Sequence, residues 1–263
     1  MTTDAPYVLR SSAEGVTTLT LNRGDKFNPL SEEMLTALQE ELDKIRADDS
    51  VRVVVLAAAG KAFCAGHDLK QMRAAPSEEY YKKLFNQCSK VMLTLQQLPQ
   101  PVIARVQGIA TAAGCQLVSM CDLAVASVDA KFAVSGVNYG LFCSTPSVGL
   151  SRNVSRKQAM EMLLTGEFID AATALQRGLV NRVVPSEQLD TEIGKLTASI
   201  LAKPAVAIAM GKQLFYKQLE MGTAAAYQLA GQTMACNMMD DAALEGVQAF
   251  IEKRSPSWKN TAQ

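Results

Sequence analysis

The sequence predicts an α/β fold: a spiral β/α core over residues 1–200 and a C-terminal helical region over residues 201–263. Three observations lead there. Short β-rich runs, Val51 to Ala58 and Val102 to Val106 among them, alternate with segments whose apolar residues recur at helical spacing. Those two runs each lead into a small-residue, glycine-bearing loop that opens a helix. Beyond Ser186 the whole chain reads as helical, with more apolar residues than one buried face needs, so an additional surface has to be covered.

Taken in order, Tyr7-Val8-Leu9 and Val16 to Leu21 form β-strands on either side of a Glu14-Gly15 turn. Ser31 opens a helix with Glu32 and Glu33 in its first turn, where the helix dipole favours acids. Met34, Leu35, Leu38, Leu42 and Ile45 supply its apolar stripe. Val51 to Ala58 is a continuous apolar run, the pattern of a strand buried on both faces. Tyr80, Leu84, Cys88, Val91 and Leu95 mark a second amphipathic helix, ended by Pro99 and Pro101 before the strand Val102 to Val106. A short helix follows through Leu117, Val118 and Met120, then strands at Cys121 to Ala126 and Lys131 to Val134. Residues 146–167 are helical in pattern, and Leu179 to Val184 is a last strand. Helices over Ile193 to Leu201, Ala205 to Leu219, Ala224 to Cys236 and Ala242 to Ile251 complete the chain.

Composition excludes several classes of function. With Lys+Arg and Asp+Glu both at 26, no net field recruits nucleic acid or an anionic membrane. No apolar window reaches the roughly 18 residues of a membrane span, and the N-terminus has the features of no secretory leader, so a cytoplasmic protein is expected. The six cysteines form no CxxC pair and lie mostly among apolar neighbours, as buried free thiols do. A single histidine and no Cys/His cluster leave no metal site to expect. A dinucleotide-binding GxGxxG after an early strand and a GxSxG nucleophile elbow are both missing.

The chemistry concentrates in the two loops. The first reads Phe63-Cys64-Ala65-Gly66-His67-Asp68-Leu69-Lys70, and the second Gly108-Ile109-Ala110-Thr111-Ala112-Ala113-Gly114-Cys115-Gln116. Strand-to-helix turns of this kind leave backbone N–H groups without intrahelical partners. Two such turns facing each other form an oxyanion hole, which stabilises charge developing on a carbonyl oxygen. No carboxylate stands where this loop pair would need one.

In order and spacing the loops resemble those of the enoyl-CoA hydratase/isomerase (crotonase) superfamily. The resemblance extends through Leu21-Asn22-Arg23, Asn28-Pro29-Leu30, Pro101-Val102-Ile103-Ala104, Met160 to Gly166, Gly178-Leu179-Val180 and Gly246 to Arg254. It implies a crotonase-like superhelix of ββα units, C-terminal helices that trimerise, and a homotrimer or a hexamer of two trimers. It also implies a coenzyme A thioester as substrate or ligand, with no prosthetic group. The implied oxyanion donors are the N–H groups of His67 and Ala113. His67 carries the chain's one imidazole, which is able to act as an acid or base near the site or simply to shape the pocket.

This chain departs from the family where hydratases carry two glutamates, for those positions hold Gln116 and Gly136. A carboxamide transfers no proton near neutral pH and glycine has no side chain, while general acid–base groups contribute about 10²–10⁴ each in rate. Ordinary hydration is therefore not expected. Ser144 takes a place where some relatives carry a carboxylate; it and Cys143 stand as pocket lining or as a nucleophile. Asp68 matches a residue that shapes the first loop. Lys26, Ala65, Gly66, Lys70, Phe250 and Lys253 fall at coenzyme A-contacting positions, although Lys253 also suits a solvated helix end. Two functions follow: an acyl-CoA-processing enzyme with altered proton-transfer groups, or a non-catalytic acyl-CoA binder or regulatory subunit.

Overall fold

The computed structural model describes residues 5–258. β1 (Val8–Ala13) and β2 (Val16–Leu21) form an antiparallel hairpin. Glu14 and Gly15 turn it with φ values of 50° and 82°, the two positive angles that suit the twist of a two-residue hairpin. β3 (Val53–Ala58), β4 (Val102–Val106), β6 (Leu123–Ser127) and β9 (Arg182–Val184) then add in parallel, giving a sheet ordered β1-β2-β3-β4-β6-β9. A second sheet joins three very short strands, β5 (Ala110–Thr111), β7 (Lys131–Ala133) and β8 (Ile169–Asp170).

All six residues of β3 are buried, as a strand covered on both faces requires. Successive side chains point to opposite faces. Val54 and Leu56 join the large core with α1 (Glu32–Arg46) and α3 (Glu78–Gln97), whereas Val53 and Val55 meet Leu189 and Ile193 of α8 (Leu189–Leu201). Serine caps start both inner helices: the Ser31 hydroxyl accepts from the Met34 N–H and the Ser77 hydroxyl from the Tyr80 N–H. The apolar stripes of both helices are buried, apart from the half-buried Tyr80.

Three local features differ from the sequence expectation. Residues 146–167 form two helices, α5 (Ser144–Leu150) and α6 (Arg156–Thr165), rather than one. Asn153 breaks the run by donating its side-chain amide to the carbonyls of Ser119 and Gly149, which ties the break to α4 (Ala113–Met120). The two-residue strands and the six-residue helices α2 (Leu69–Ala74) and α7 (Ala171–Gln176) are too short to show a hydrophobic period. Five cysteines are buried, but Cys236 is exposed on α10 (Thr223–Met238), a helix with no buried residue.

α9 (Ala205–Leu219), α10 and α11 (Asp241–Ile251) form the C-terminal layer, which leaves Phe215, Leu219, Tyr227, Met234, Met239, Phe250 and Ile251 exposed. A polar anchor fixes this layer to the core. The Lys212 ammonium, buried on α9, donates to the Leu95 and Gln100 carbonyls at 2.8 and 2.9 Å and to Asp122 Oδ2 at 2.6 Å. Asp122 also accepts from the Val102 N–H and the Tyr216 hydroxyl. Burial holds the Lys212 pKa below the ordinary lysine range despite its carboxylate partner.

Removing one member of such a network leaves a buried charge without compensation. Asp122→Ala is expected to lower unfolding stability by about 3–5 kcal/mol, read as a fall in the urea midpoint. A midpoint equal to that of the unsubstituted protein would show that the anchor contributes nothing.

Candidate active site

β3 and β4 both run into the glycine-bearing loops, so both loops lie at the C-terminal end of the parallel strands. Three segments are laced together there. The Asn28 amide, fully buried, donates to the Ala59 and Ala62 carbonyls while its oxygen accepts from the Arg23 N–H. Gln107 donates to the carbonyls of Ala58, Gly60 and Ala62. Asn28 lies in a stretch that carries the resemblance, but the sequence assigns no role to it or to Gln107, because a single Asn or Gln in a loop carries no pattern.

The first loop is held from both sides. On one side the Leu30 N–H donates to the Gly66 carbonyl at 2.8 Å; on the other the Thr111 N–H donates to the Cys64 carbonyl at 3.0 Å. The peptide unit joining Gly66 to His67 is planar and trans, so its N–H points opposite to its carbonyl. With the carbonyl turned to Leu30, the His67 N–H is directed to the side where the second loop lies. Gly66 reaches this conformation at φ 91°, where a side chain would be strained.

The same reasoning holds for the second loop. The Ala112 carbonyl accepts from the Gln116 N–H in the first turn of α4, so the Ala113 N–H points out of the helix start. Neither the His67 nor the Ala113 N–H has a protein acceptor among the described residues. Ala112 holds φ 50° and ψ −121°, a sparsely populated conformation for alanine that is characteristic of functional sites. A Cβ built on Gly66 would sit 3.3 Å from the Ala113 nitrogen, and one on Gly114 would run into the Cys64 carbonyl. Only glycine lets the two loops approach this closely.

Ala65, His67, Ala112 and Ala113 line one cavity of about 180 Å³ with Phe85, Ser135, Gly136, Tyr139, Phe142, Cys143 and Ser144. Among the described residues, no Asp, Glu, Lys or Arg lines it. His67 Nδ1 lies 3.1 Å from the Leu30 carbonyl, its ring packs edge-on to Phe85 at 5.5 Å, and its Nε2 is buried without a partner. Burial pushes the imidazole pKa below its ordinary value, against the smaller opposing effect of the Leu30 carbonyl. The Cys143 sulfur accepts the Gly136 N–H at 3.2 Å, and burial raises its thiol pKa, so the thiol stays protonated.

Known proteins share this fold. Residues 11–261 match the model of the family described as Enoyl-CoA hydratase/isomerase. The chain belongs to that family. The enoyl-CoA hydratase domain-containing protein 3 of Rattus norvegicus, a mitochondrial protein, is 43% identical over 94% of this chain and 82% of its own length. The crystal structure of an enoyl-CoA hydratase of Mycobacterium smegmatis is 64% identical, covers 97% of this chain and 99% of its own, and superposes with a TM-score of 0.95. The human enoyl-CoA hydratase domain-containing protein 3 superposes at 0.93 with 42% identity, over 96% of this chain and 100% of its own.

The structure places the residues expected at the site unequally. Gly136 and Ser144 line the cavity, but Gln116 does not; it is buried in α4 with its Oε1 unpartnered. Asp68 caps α2, accepting from the Lys70 and Gln71 N–H groups. Lys70, in the first turn of α2, is exposed, and Lys26 precedes Phe27, whose carbonyl accepts the Ala65 N–H. Phe250 and Lys253 are not brought to this cavity. α11 lies by Arg52, Leu201 and Lys203, near the N-terminal end of β3 and so at the opposite end of the sheet.

Gly136 has little room for a substituent, since a Cβ there would crowd the Leu141 carbonyl and lie 2.8 Å from the Cys143 sulfur. Gly136→Ala is therefore expected to displace the 141–143 turn, lowering stability by about 1–3 kcal/mol and speeding alkylation of Cys143 as mapped by mass spectrometry. Unchanged labelling together with unchanged stability would mean the turn accommodates the methyl group freely.

Proposed function

We infer that this chain is an acyl-CoA-processing enzyme of the hydratase/isomerase family. The N–H groups of His67 and Ala113 hold the thioester oxygen while negative charge develops on it as an enolate. The observation that carries this reading is the pair of acceptor-free N–H groups entering one uncharged cavity from two laced loops. One donor of this kind contributes about 3 kcal/mol to barrier lowering. Family membership supplies the ligand class, a CoA thioester. Lys26 and Lys70, exposed near the first loop, suit the phosphates of the CoA moiety.

Efficient hydration requires a group that positions water and transfers its proton. Gly136 offers no side chain, Gln116 offers a carboxamide, and no carboxylate lines the cavity. Isomerisation and thioester cleavage are the other reactions open to such a site. The same lack of carboxylates favours a second reading, a non-catalytic acyl-CoA binder or partner subunit. The exposed apolar residues of α9, α10 and α11 support assembly into a homotrimer or hexamer. In such an assembly Phe250 and Lys253 are available to a neighbouring copy rather than to their own cavity.

Calorimetry with butyryl-CoA is expected to show micromolar binding, and Gly114→Ala, which drives the loops apart, is expected to weaken it at least tenfold (about 1.4 kcal/mol). Failure of the unsubstituted protein to bind any acyl-CoA would remove the basis of this reading. Crotonyl-CoA hydration should run about 10²-fold or more below that of a relative with both glutamates; a comparable rate would show that another group handles the water.

A further inference from the structure

We propose that the cavity selects an uncharged acyl group of at most about eight carbons, and that the Phe85 ring sets this limit. The inference rests on the acyl-CoA reading above and narrows it to a substrate class. The large side chains around the cavity fall into two groups. Leu69, Tyr139, Leu141 and Phe142 are exposed and form its rim. Met72 and Phe85 are half-buried and, with the buried Cys143 and Pro146, close its inner side. With the thioester oxygen at the His67 and Ala113 N–H groups, the acyl chain extends along that inner side.

The space there is small. The cavity measures about 180 Å³. An apolar protein cavity of about 150 Å³ takes one benzene, so about six to eight carbons fill this one. Phe85 is a fixed boundary. Its ring meets the His67 ring edge-on at 5.5 Å and stacks on Tyr81 at 6.3 Å, spacings at which aromatic pairs attract. The Tyr81 hydroxyl donates to the Met72 carbonyl at 3.1 Å, which ties α2 to the same stack. Met72 has an unbranched, adaptable side chain, so the aromatic ring is the limiting wall. A longer chain has to turn out over the exposed rim, where its added methylenes stay largely in water.

Charge is selected against by the same lining. Among the described residues no Lys or Arg lines the cavity, and the polar side chains that do are hydroxyls, one thiol and one imidazole. The two free amides are taken by the thioester oxygen. A carboxylate at the far end of the acyl chain would lie against Phe85 and Met72 without a cation to pair it. Burial of an unpaired charge is heavily disfavoured. Lys+Arg and Asp+Glu are equal at 26 each, so no net field offsets that penalty.

The test is calorimetric binding of butyryl-, hexanoyl-, octanoyl-, dodecanoyl- and glutaryl-CoA. Affinity should rise by up to about fourfold per added methylene as far as octanoyl-CoA, and dodecanoyl-CoA should bind no tighter than octanoyl-CoA. Glutaryl-CoA, similar in length to hexanoyl-CoA but ending in a carboxylate, should bind at least about tenfold more weakly than hexanoyl-CoA. Phe85→Ala should move the limit outward, so that dodecanoyl-CoA exceeds octanoyl-CoA at least about tenfold while butyryl-CoA stays within a few-fold. Phe85→Leu, which keeps an apolar side chain at the position, should give an intermediate limit and serves where Phe85→Ala folds poorly by its urea midpoint. An affinity that climbs steadily to dodecanoyl-CoA in the unsubstituted protein overturns the size limit, and glutaryl-CoA matching hexanoyl-CoA overturns the charge selection. An unchanged length preference in folded Phe85 variants removes the role given to the ring. Those outcomes leave the acyl-CoA reading standing, whereas failure of the unsubstituted protein to bind any of the series strikes that reading and this selectivity together.

Discussion

The site depends on how two peptide units are oriented. In each, the carbonyl is already committed, that of Gly66 to the Leu30 N–H and that of Ala112 to the Gln116 N–H. Because a trans peptide fixes N–H and C=O in opposite directions, committing the carbonyls aims the amides. No side chain has to be placed for this to work. The amides are held before any ligand arrives, so little reorganisation opposes charge development on a bound carbonyl. The fold serves that end: parallel β3 and β4 deliver both loops to one edge, and Asn28 and Gln107 tie the neighbouring segments together through side-chain hydrogen bonds.

Close approach and local strain accompany this arrangement. Gly66 and Gly114 lie where a Cβ would meet the facing backbone, and Ala112 adopts a conformation that alanine rarely takes. Strain of about 1–3 kcal/mol at such a residue is tolerated only when the surroundings over-determine it. Here the Ala112 N–H is bound to the Ala133 carbonyl, and α4 follows directly. Electrostatics are divided between two regions. Among the described residues no charged side chain lines the cavity, whereas the most buried ion pair, Lys212 with Asp122, joins α9 to the core. Ligand chemistry in the cavity therefore falls to backbone dipoles, hydroxyls, a thiol and one neutral imidazole.

The core elements were legible in the residues because burial imposes a period. β3 showed its two-faced burial as an unbroken apolar run, α1 showed a stripe opened by Ser31, and α3 showed a stripe closed by Pro99 and Pro101. The loops were legible as well, since small residues after a strand have few other uses. Less visible were β5, β8, α2 and α7, which are too short for any period, and the break between α5 and α6, which Asn153 makes through a contact distant in sequence. Within the site, Ala65, His67, Ala113, Gly136 and Ser144 come together in one cavity. Gln116 is buried on α4 outside the residues that line that cavity, and Phe250 and Lys253 lie at the far end of the sheet.

By itself, the sequence determined most of the order of strands and helices and the positions of the two glycine-bearing loops. These are properties of residue type and spacing, which need no partner to be read. Only the tertiary structure decided which amides face one another, that the His67 ring is neutral with a buried lone pair, and that α11 stands away from its own cavity. Those outcomes depend on directions rather than identities. The direction of an amide or a ring nitrogen is set by what its neighbour across the fold has already claimed, and one-dimensional spacing does not record that.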